Sequence, residues 1–197
     1  KPPILSANSI TDFALSGGSD GIDCTDSDDY IFIPDHQDLR VGSGDFTIEF
    51  WFNRNGTGAG PNGDFIIMDY RANTDNNGGW SFFTNVSDQG VGIDYSNDTT
   101  NWAAGIHTAA IEETDVWHHF AVVQKTNATE TGGSLTLFRD GVSHATSTRL
   151  ISSGPSSEPY QGIFIGGPFN YAGAVNETYP GNFRIDEIRI SKMARYT

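Results

Sequence analysis

The stretch DFTIEFWFN, residues 45–53, decides the fold class through its alternation. Large apolar residues occupy every second position from Phe46 to Phe52, and the intervening positions carry a hydroxyl, an acid, an indole and an amide. In a β-strand, successive side chains point to opposite faces. The stretch therefore predicts a strand with one face in a core, and a second face, bearing Glu49 and Trp51, that is semi-exposed or lines a groove.

Other segments of strand length are apolar or alternate in the same way, and the connections between them are rich in Gly, Asn, Ser and Thr, as turns and loops are. The segments are DYIFIP (29–34), DFIIMDY (64–70), WSFFTN (80–85), VGIDY (91–95), VWHHFAVVQ (116–124), SLTLFRD (134–140), GIFIGG (162–167) and NFRIDEIRIS (182–191). Only IHTAAIEETD (106–115) suits a short helix or helical turn. No linker or repeat divides the chain, so we expect residues 1–197 to form one all-β domain, a two-sheet antiparallel β-sandwich.

Two local features refine this prediction. Asp140-Gly141 follows SLTLFR and is a hairpin turn signal, so the chain should reverse there into a further strand. In FRIDEIRIS the apolar positions change face near Asp186, which predicts a β-bulge that aims this acid at a specific partner.

The adjacent histidines of VWHHFAVVQ invite a catalytic or metal-site interpretation. On a strand, however, His118 and His119 point to opposite faces and cannot chelate one ion together. His119 shares its face with Trp117, Ala121 and Val123, which predicts a buried, hydrogen-bonded core histidine. His118 should be exposed or line a groove.

Composition excludes several classes of partner. The formal net charge is −14, with 11 Lys and Arg residues, so nucleic acid and anionic membranes are unsuitable partners. An acidic protein suits divalent cations, especially calcium, and neutral glycans, although acidity also serves solubility alone. Cys24 is the single cysteine, so no intrachain disulfide forms, and no apolar run is long enough for membrane insertion. The chain starts at KPPIL without Met, which indicates a processed chain or part of a longer protein.

The order of these segments resembles the laminin-G-like, concanavalin A-like jelly-roll family. The resemblance runs from SDDYIFIPDHQDLRVGSGDFTIEFWFN through VWHHFAVVQ, GSLTLFRDGV and IFIGG to FRIDEIRISKMARYT, over roughly residues 20–196. It implies a jelly roll, a fold that hosts lectins, adhesion modules, glycanases and structural domains. The ending ISKMARYT is similar to a version of the domain found in bacteriophage tail-fibre and virion proteins, which implies an extracellular or virion-surface location.

Enzyme signatures are missing from the sequence. Glycanases of this fold place two carboxylates on one strand face, commonly as Glu-x-Asp-x-Glu, and no such run is present. The lyases sharing the fold use a Gln-x-His strand, but His107 has no Gln two residues before it. A Ser-His-Asp set stays open, because the members of a triad meet in space rather than in sequence, but no Gly-x-Ser-x-Gly motif occurs. We therefore expect no enzymatic activity.

A calcium site is suggested by CTDSDDY (24–30), whose closely spaced acids suit a hard cation. The family often holds a structural calcium between the opening-strand loop and the last strand. The matching positions are Asp26, Asp28 and Asp186. The alternative is an ordinary turn with solvated acids.

A glycan site would combine aromatic rings with planar polar groups, and such residues border several loops. The ligand-binding candidates are Tyr70, Arg71, Trp80, Trp102, Tyr160 and Tyr171. The alternative for Trp80 and Trp102 is that they begin strands and belong to the core.

The sequence therefore predicts a non-enzymatic recognition or attachment module on a phage virion surface that binds cell-surface glycans during host attachment. The alternatives are a purely structural virion decoration protein and a carbohydrate-binding domain of a larger polysaccharide-degrading enzyme. Besides a glycan, the partner could be a neighbouring virion protein or a second copy of the chain in a homo-oligomer.

Overall fold

The computed structural model describes residues 4–5, 21–25, 29–36, 39–56, 65–71, 79–84, 90–96, 102–108, 113–127, 132–148, 150–151, 162–166 and 181–197. Within these ranges the regular structure is strand, with no α-helix. The strands are β1 (Ile4–Leu5), β2 (Ile22–Cys24), β3 (Ile31–Pro34), β4 (Phe46–Arg54), β5 (Phe65–Arg71), β6 (Gly79–Thr84), β7 (Val91–Ser96), β8 (Trp102–His107), β9 (Trp117–Thr126), β10 (Gly133–Arg139), β11 (Val142–Ser147), β12 (Gly162–Ile165) and β13 (Phe183–Ser191).

The strands form two antiparallel sheets. The seven-stranded sheet has the order β1-β3-β12-β5-β6-β7-β8, and the six-stranded sheet has the order β11-β10-β9-β4-β13-β2. The predicted all-β two-sheet sandwich, consistent with a jelly roll, is confirmed. Each strand-length segment named above coincides with a strand. Strands β1 and β2 were not predicted because they are only two and three residues long. Strand β8, WAAGIH, was not predicted because it is poor in β-branched residues.

The core lies between the sheets and follows the alternation of β4. Phe46, Ile48, Phe50 and Phe52 are fully buried, as predicted. The ring of Phe50 meets that of Phe82, on β6 of the opposite sheet, edge-to-face at a centroid distance of 5.0 Å. Such aromatic pairs add about 0.5–1.5 kcal/mol beyond the area they bury, so these contacts hold the two sheets together.

The hairpin turn and the bulge are both confirmed. Arg139 pairs with Val142 across the two-residue turn, where Asp140 has φ 51° and Gly141 has φ 78°. Positive φ at both central residues defines the type I′ turn that Asp-Gly favours. The pairing of β13 with β4 shifts register between Asp186 and Arg189, and Glu187 there has φ 48°.

The possible helical turn over 106–115 does not form at either end of that range. Ile106 and His107 close strand β8, and residues 113–116 are bends and irregular chain. Residues 109–112 lie outside the described residues.

The two histidines diverge as predicted, but their faces are reversed. His118 shares the inner face with Phe120, which pairs with buried Phe50 of β4. His119 lies on the outer face and stays partly exposed. The prediction of a buried core His119 was wrong because Ala121 and Val123, its outward neighbours, form a separate small cluster with Phe138, covered by Ala194 and Tyr196. An apolar outer face under the C-terminal segment looks like a core face in the sequence.

Candidate functional site

The outer face of the seven-stranded sheet carries a row of polar side chains between aromatic rings. On β5 and β6 the large apolar residues Met68, Tyr70, Trp80 and Phe82 are buried in the core. The residues between them therefore point outward. The register aligns Asp69 with Ser81 and Ser81 with Asp94, so these three side chains form one row across β5, β6 and β7.

Two phenylalanines extend this row at its β12–β3 end. Phe164 pairs with Asp69 on one side and with Phe32 on the other. The rings of Phe32 and Phe164 have centroids 4.6 Å apart and both are partly exposed. The row therefore runs from an aromatic pair to a carboxylate.

A second outward row lies beside the first and contains a histidine. Ile66, Phe83, Gly92 and His107 are register partners across β5, β6, β7 and β8. The rings of Phe83 and His107 meet edge-to-face at 5.3 Å. A Cβ built on Gly92 would lie 2.6 Å from Cδ2 of His107 and 3.0 Å from Cζ of Phe83. The two rings thus lean together over a position that has no side chain.

Gly105 on β8 brings the acid of the first row to the histidine of the second. A Cβ built on Gly105 would lie 2.1 Å from Oδ1 of Asp94 and 3.1 Å from Nε2 of His107. Both polar atoms therefore occupy the space that a larger residue would fill. Asp94 and His107 form a polar corner over this glycine.

The two acids of the first row differ in exposure. Asp69 is 1% exposed, whereas Asp94 and His107 are partly exposed. Strand spacing of about 4.8 Å places the Cα atoms of Asp69 and Asp94 about 10 Å apart. Glycoside hydrolysis needs two carboxyl groups that both reach the scissile bond. Because Asp69 is buried, Asp94 is the partly exposed carboxylate among the described residues of this row, and the His107 imidazole and the Phe83 ring lie beside it.

Comparison with known proteins agrees with this architecture. A laminin-G-type family model, described as the Concanavalin A-like lectin/glucanases superfamily, matches residues 25–196. The chain belongs to this superfamily. No curated protein sequence matched the chain.

Several solved structures have a similar fold and align with this chain at low sequence identity. The Ruminococcus gnavus IT-sialidase CBM40 aligns with TM-score 0.62 and 14% identity, over 89% of this chain and 91% of that one. The Botulinum neurotoxin serotype D binding domain aligns with TM-score 0.64 and 12% identity, over 98% of this chain and 43% of that one. A heptameric SAP-like pentraxin from Limulus polyphemus aligns with TM-score 0.53 and 14% identity, over 84% and 76%. At these identities the likeness shows the fold.

Two of the glycan-binding candidates lie in the core of this superfamily member. Tyr70 is 3% and Trp80 1% exposed, with ring centroids 5.8 Å apart. The Tyr70 hydroxyl donates to Oδ1 of Asp35 at 2.6 Å. Burial, reinforced by this carboxylate, raises the pKa of Tyr70 well above its usual value. Both rings face the six-stranded sheet because their positions alternate with Asp69 and Ser81, so neither offers a face to a ligand.

The other four candidates are placed only in part. Arg71 ends β5 and Trp102 begins β8, and only the backbone of these residues is described. Tyr160 and Tyr171 lie outside the described residues. Their role in glycan binding stays a prediction.

The proposed calcium ligands are likewise placed in part. Oδ1 of Asp186 accepts a hydrogen bond of 2.8 Å from the Glu187 N–H, so the acid folds onto its own bulge. Asp26 and Asp28 lie outside the described residues, and the residues that are described contain no group of three His, Cys, Asp or Glu side chains able to hold a metal ion. Calcium binding stays a prediction.

The imidazole rings of the two histidines have separate partners, as a structural rather than a chelating role requires. Nδ1 of His118 lies 2.7 Å from Oδ2 of Asp140, and its Nε2 lies 3.3 Å from Oε2 of Glu113. The His119 ring packs 5.4 Å from that of Trp51 and its Nε2 lies 3.6 Å from Oε2 of Glu49. Each imidazole therefore supports a different side of the six-stranded sheet.

The sequence analysis missed Asp69, Ser81 and Asp94, and it considered His107 only as a residue of a lyase motif. A signal was present, because each of the segments MDY, WSF and IDY sets one polar residue between two large apolar ones. That pattern turns a single polar side chain outward from each strand. The alignment of the three into one row depends on register between strands, which the segments do not encode individually.

No part of the described chain forms the kind of long apolar helix that spans a bilayer.

Proposed function

We propose that the protein is a non-enzymatic recognition module that binds glycans on the outer face of its seven-stranded sheet. The observation that carries the proposal is the corner formed by Asp94 and His107 over Gly105, beside the partly exposed ring of Phe83. Pyranose rings present an apolar face to aromatic side chains and hydroxyl groups to carboxylates and imidazoles. Few, well-placed polar groups among apolar walls are typical of ligand sites.

Ligands bound to proteins of similar structure support the class of ligand. The CBM40 domain has been solved bound to alpha2,3 sialyllactose, and a Botulinum neurotoxin DC binding domain in complex with SialylT. For this chain, a net charge of −14 and the acids of the face favour a neutral glycan there.

A glycan array tests the proposal, with the fluorescently labelled protein applied once in millimolar calcium and once in EDTA. We expect hits among neutral glycans, and an array with no hit in either buffer would contradict the proposal. That blank result would instead favour the structural decoration role, because such a protein needs no soluble ligand.

The setting that we propose for this binding is the surface of a bacteriophage virion, where the module would attach the particle to its host. The support is the resemblance of ISKMARYT, residues 190–197, to virion proteins. An antibody raised against the protein should label purified particles in electron micrographs. Unlabelled particles would contradict the virion location and would favour a glycan-binding module of another kind of protein, such as a domain of a larger polysaccharide-degrading enzyme.

A further inference from the structure

Trp51 is more exposed than any other Trp, Tyr or Phe side chain that the structure describes, with 37% of its surface accessible to solvent. It lies on the outer face of the six-stranded sheet, on the opposite side of the molecule from the Asp94–His107 face. Strands β9 and β13 flank β4, and the register sets Trp51 between His119 and Asp186. The rings of Trp51 and His119 have centroids 5.4 Å apart and are tilted by 59°. An exposed indole therefore stands between an imidazole and a carboxylate.

A β-bulge orients the Asp186 carboxylate beside this indole. The pairing of β13 with β4 shifts register between Asp186 and Arg189, and Glu187, inside the bulge, has φ 48°. This conformation is uncommon for a residue with a side chain, and bulges serve to re-aim a side chain. Here the Glu187 N–H donates to Oδ1 of Asp186 at 2.8 Å, so the carboxylate is held in one orientation with Oδ2 as its second acceptor.

Arg189 supplies hydrogen-bond donors on the same face. It pairs with Glu49, two residues before Trp51 on β4, and its side chain is 57% exposed, with Nη1 3.6 Å from Oε1 of Glu49. Glu49 is buried, accepts a hydrogen bond from the Tyr196 hydroxyl and pairs with Arg195, whose Nε lies 3.1 Å from Oε1. This buried acid holds one end of the Arg189 guanidinium. A guanidinium has five N–H donors, so the others can meet a ligand.

The extent of the apolar surface favours a sugar ring over a second protein as the occupant. A stable protein interface buries about 800 Å² on each partner. Here the apolar surface is a single indole, because Ala121 and Val123, the next outward residues of β9, are buried beneath the C-terminal segment. Met193 is also exposed, but its carbonyl accepts a hydrogen bond from Thr47, four residues before Trp51 on β4, so it lies apart from the indole. One flat ring with polar groups beside it matches a single pyranose.

The charges at this face favour a neutral ligand. Arg189 and Arg195 are offset by Glu49 and Asp186, and the exposed Glu187 adds a further acid. A carboxylated sugar would therefore meet no net positive charge. Hydroxyl groups both donate and accept hydrogen bonds, so they suit a carboxylate beside a guanidinium.

We infer that Trp51, Asp186 and Arg189 form a second glycan site, which takes one neutral pyranose ring. The indole stacks on the apolar face of the sugar, Asp186 accepts hydrogen bonds from its hydroxyls, and Arg189 donates to them. The ligand class rests on the proposed glycan-binding function, but the site itself is separate, because it lies on the other sheet. With a site on each outer face, the module would engage two glycans at once and gain avidity from both.

The test is a titration of the isotope-labelled protein, in EDTA to exclude calcium, with the methyl glycosides of β-D-glucose, β-D-galactose and α-D-mannose. We expect at least one of the three to cause saturable shifts of the Trp51 indole N–H and of the backbone amides of residues 49–51 and 186–189. Trp51→Leu, which keeps an apolar side chain without the flat ring, should abolish the amide shifts. Arg189→Met and Asp186→Asn should each weaken binding about tenfold, the loss typical of one hydrogen bond to a charged group.

Lys125→Met is the matched control for Arg189→Met. Lys125 is an exposed cation on the same outer face, about 20 Å from His119 along β9. This variant should bind the glycoside as tightly as wild type.

Amide shifts that persist in Trp51→Leu, or affinities that are unchanged in both Arg189→Met and Asp186→Asn, would overturn the inference. The absence of shifts at residues 49–51 with all three glycosides would overturn it as well. Shifts confined to β7 and β8 would overturn the second site while supporting glycan binding at the Asp94–His107 face. A wild-type protein that sediments as a dimer, and a Trp51→Leu variant that sediments as a monomer, would also overturn it, because Trp51 would then contact a second copy of the chain.

Discussion

Gly105→Ala should damage the proposed glycan face more than any other single-methyl addition, because the added Cβ meets both of its polar groups. That Cβ would lie 2.1 Å from Oδ1 of Asp94, 3.1 Å from Nε2 of His107 and 2.7 Å from the carbonyl oxygen of Ile93. The two side chains can rotate away. The Ile93 carbonyl belongs to the β7 backbone, so β8 must shift from its neighbour.

The cost follows from these overlaps. Forcing a methyl group into a filled site typically costs about 1–3 kcal/mol. Replacing Gly in a conformation that Ala also adopts returns about 0.4–1 kcal/mol through the unfolded chain. For a net cost near 1.5 kcal/mol, Tm should fall by roughly 3–6 °C in a domain of this size. Glycan affinity should fall by more than tenfold, because both side chains leave their positions.

The assay pairs thermal unfolding by circular dichroism with affinity for the best array hit. Gly44→Ala is the matched control, because a Cβ at Gly44 meets no atom within 4 Å. It should keep the wild-type affinity and Tm or slightly raise Tm. The reasoning fails if Gly105→Ala and Gly44→Ala unfold at the same temperature and bind equally well.

Three other predictions address the scaffold. Gln124→Met should lower the free energy of unfolding, measured in urea titrations, by about 2–4 kcal/mol. The fully buried Gln124 amide accepts from the Ile151 N–H at 2.7 Å and donates to the Ile151 carbonyl oxygen at 3.3 Å, so the variant leaves the buried Ile151 N–H without its acceptor. A loss under about 0.5 kcal/mol would refute this. Burial raises the pKa of Asp140, but hydrogen bonds with the His119 N–H and the His118 imidazole outweigh it and hold that pKa below its usual value. The resulting stability is present above the unfolded-state pKa of about 3.9 and is lost as pH falls through the folded-state pKa. Asp140→Asn, which suits the same turn, should therefore show a smaller fall in Tm below about pH 4 than wild type. Curves of Tm against pH that fall in parallel for the two proteins would argue against this role. Calcium at a hundredfold excess over Kd should add about 2.7 kcal/mol to the free energy of unfolding and raise Tm by roughly 5–10 °C. EDTA should reverse this shift, and Asp186→Asn should reduce it. Superimposed melting curves with calcium and with EDTA would exclude a calcium site that stabilises the fold.

The sequence predicted the parts of the fold that depend on local patterns. The alternation of β4 identified its core face, and Asp140-Gly141 identified the hairpin turn, because both signals lie within a few consecutive residues. The change of face at Asp186 correctly indicated the bulge for the same reason.

Features that depend on contacts between distant segments were missed. The face of β9 was misassigned because Tyr196, far along the chain, covers the outward Ala121 and Val123. Asp69, Ser81 and Asp94 escaped notice because only the register of three strands aligns them. Tyr70 and Trp80 were chosen as glycan-binding candidates because they lie beside loops. The alternation along their strands, however, turns both side chains into the core.

The most direct test of the central claim is the affinity of Asp94→Asn for the best glycan-array hit, measured by isothermal titration calorimetry beside wild type and Asp23→Asn. Asp23 is exposed on β2 of the other sheet, so its variant makes the same chemical change away from the proposed face. We predict that Asp94→Asn binds at least tenfold more weakly than wild type, with Tm within about 2 °C of wild type (under about 1 kcal/mol), and that Asp23→Asn binds as wild type does. Equal affinities for all three proteins would contradict the claim that the Asp94–His107 face binds glycan.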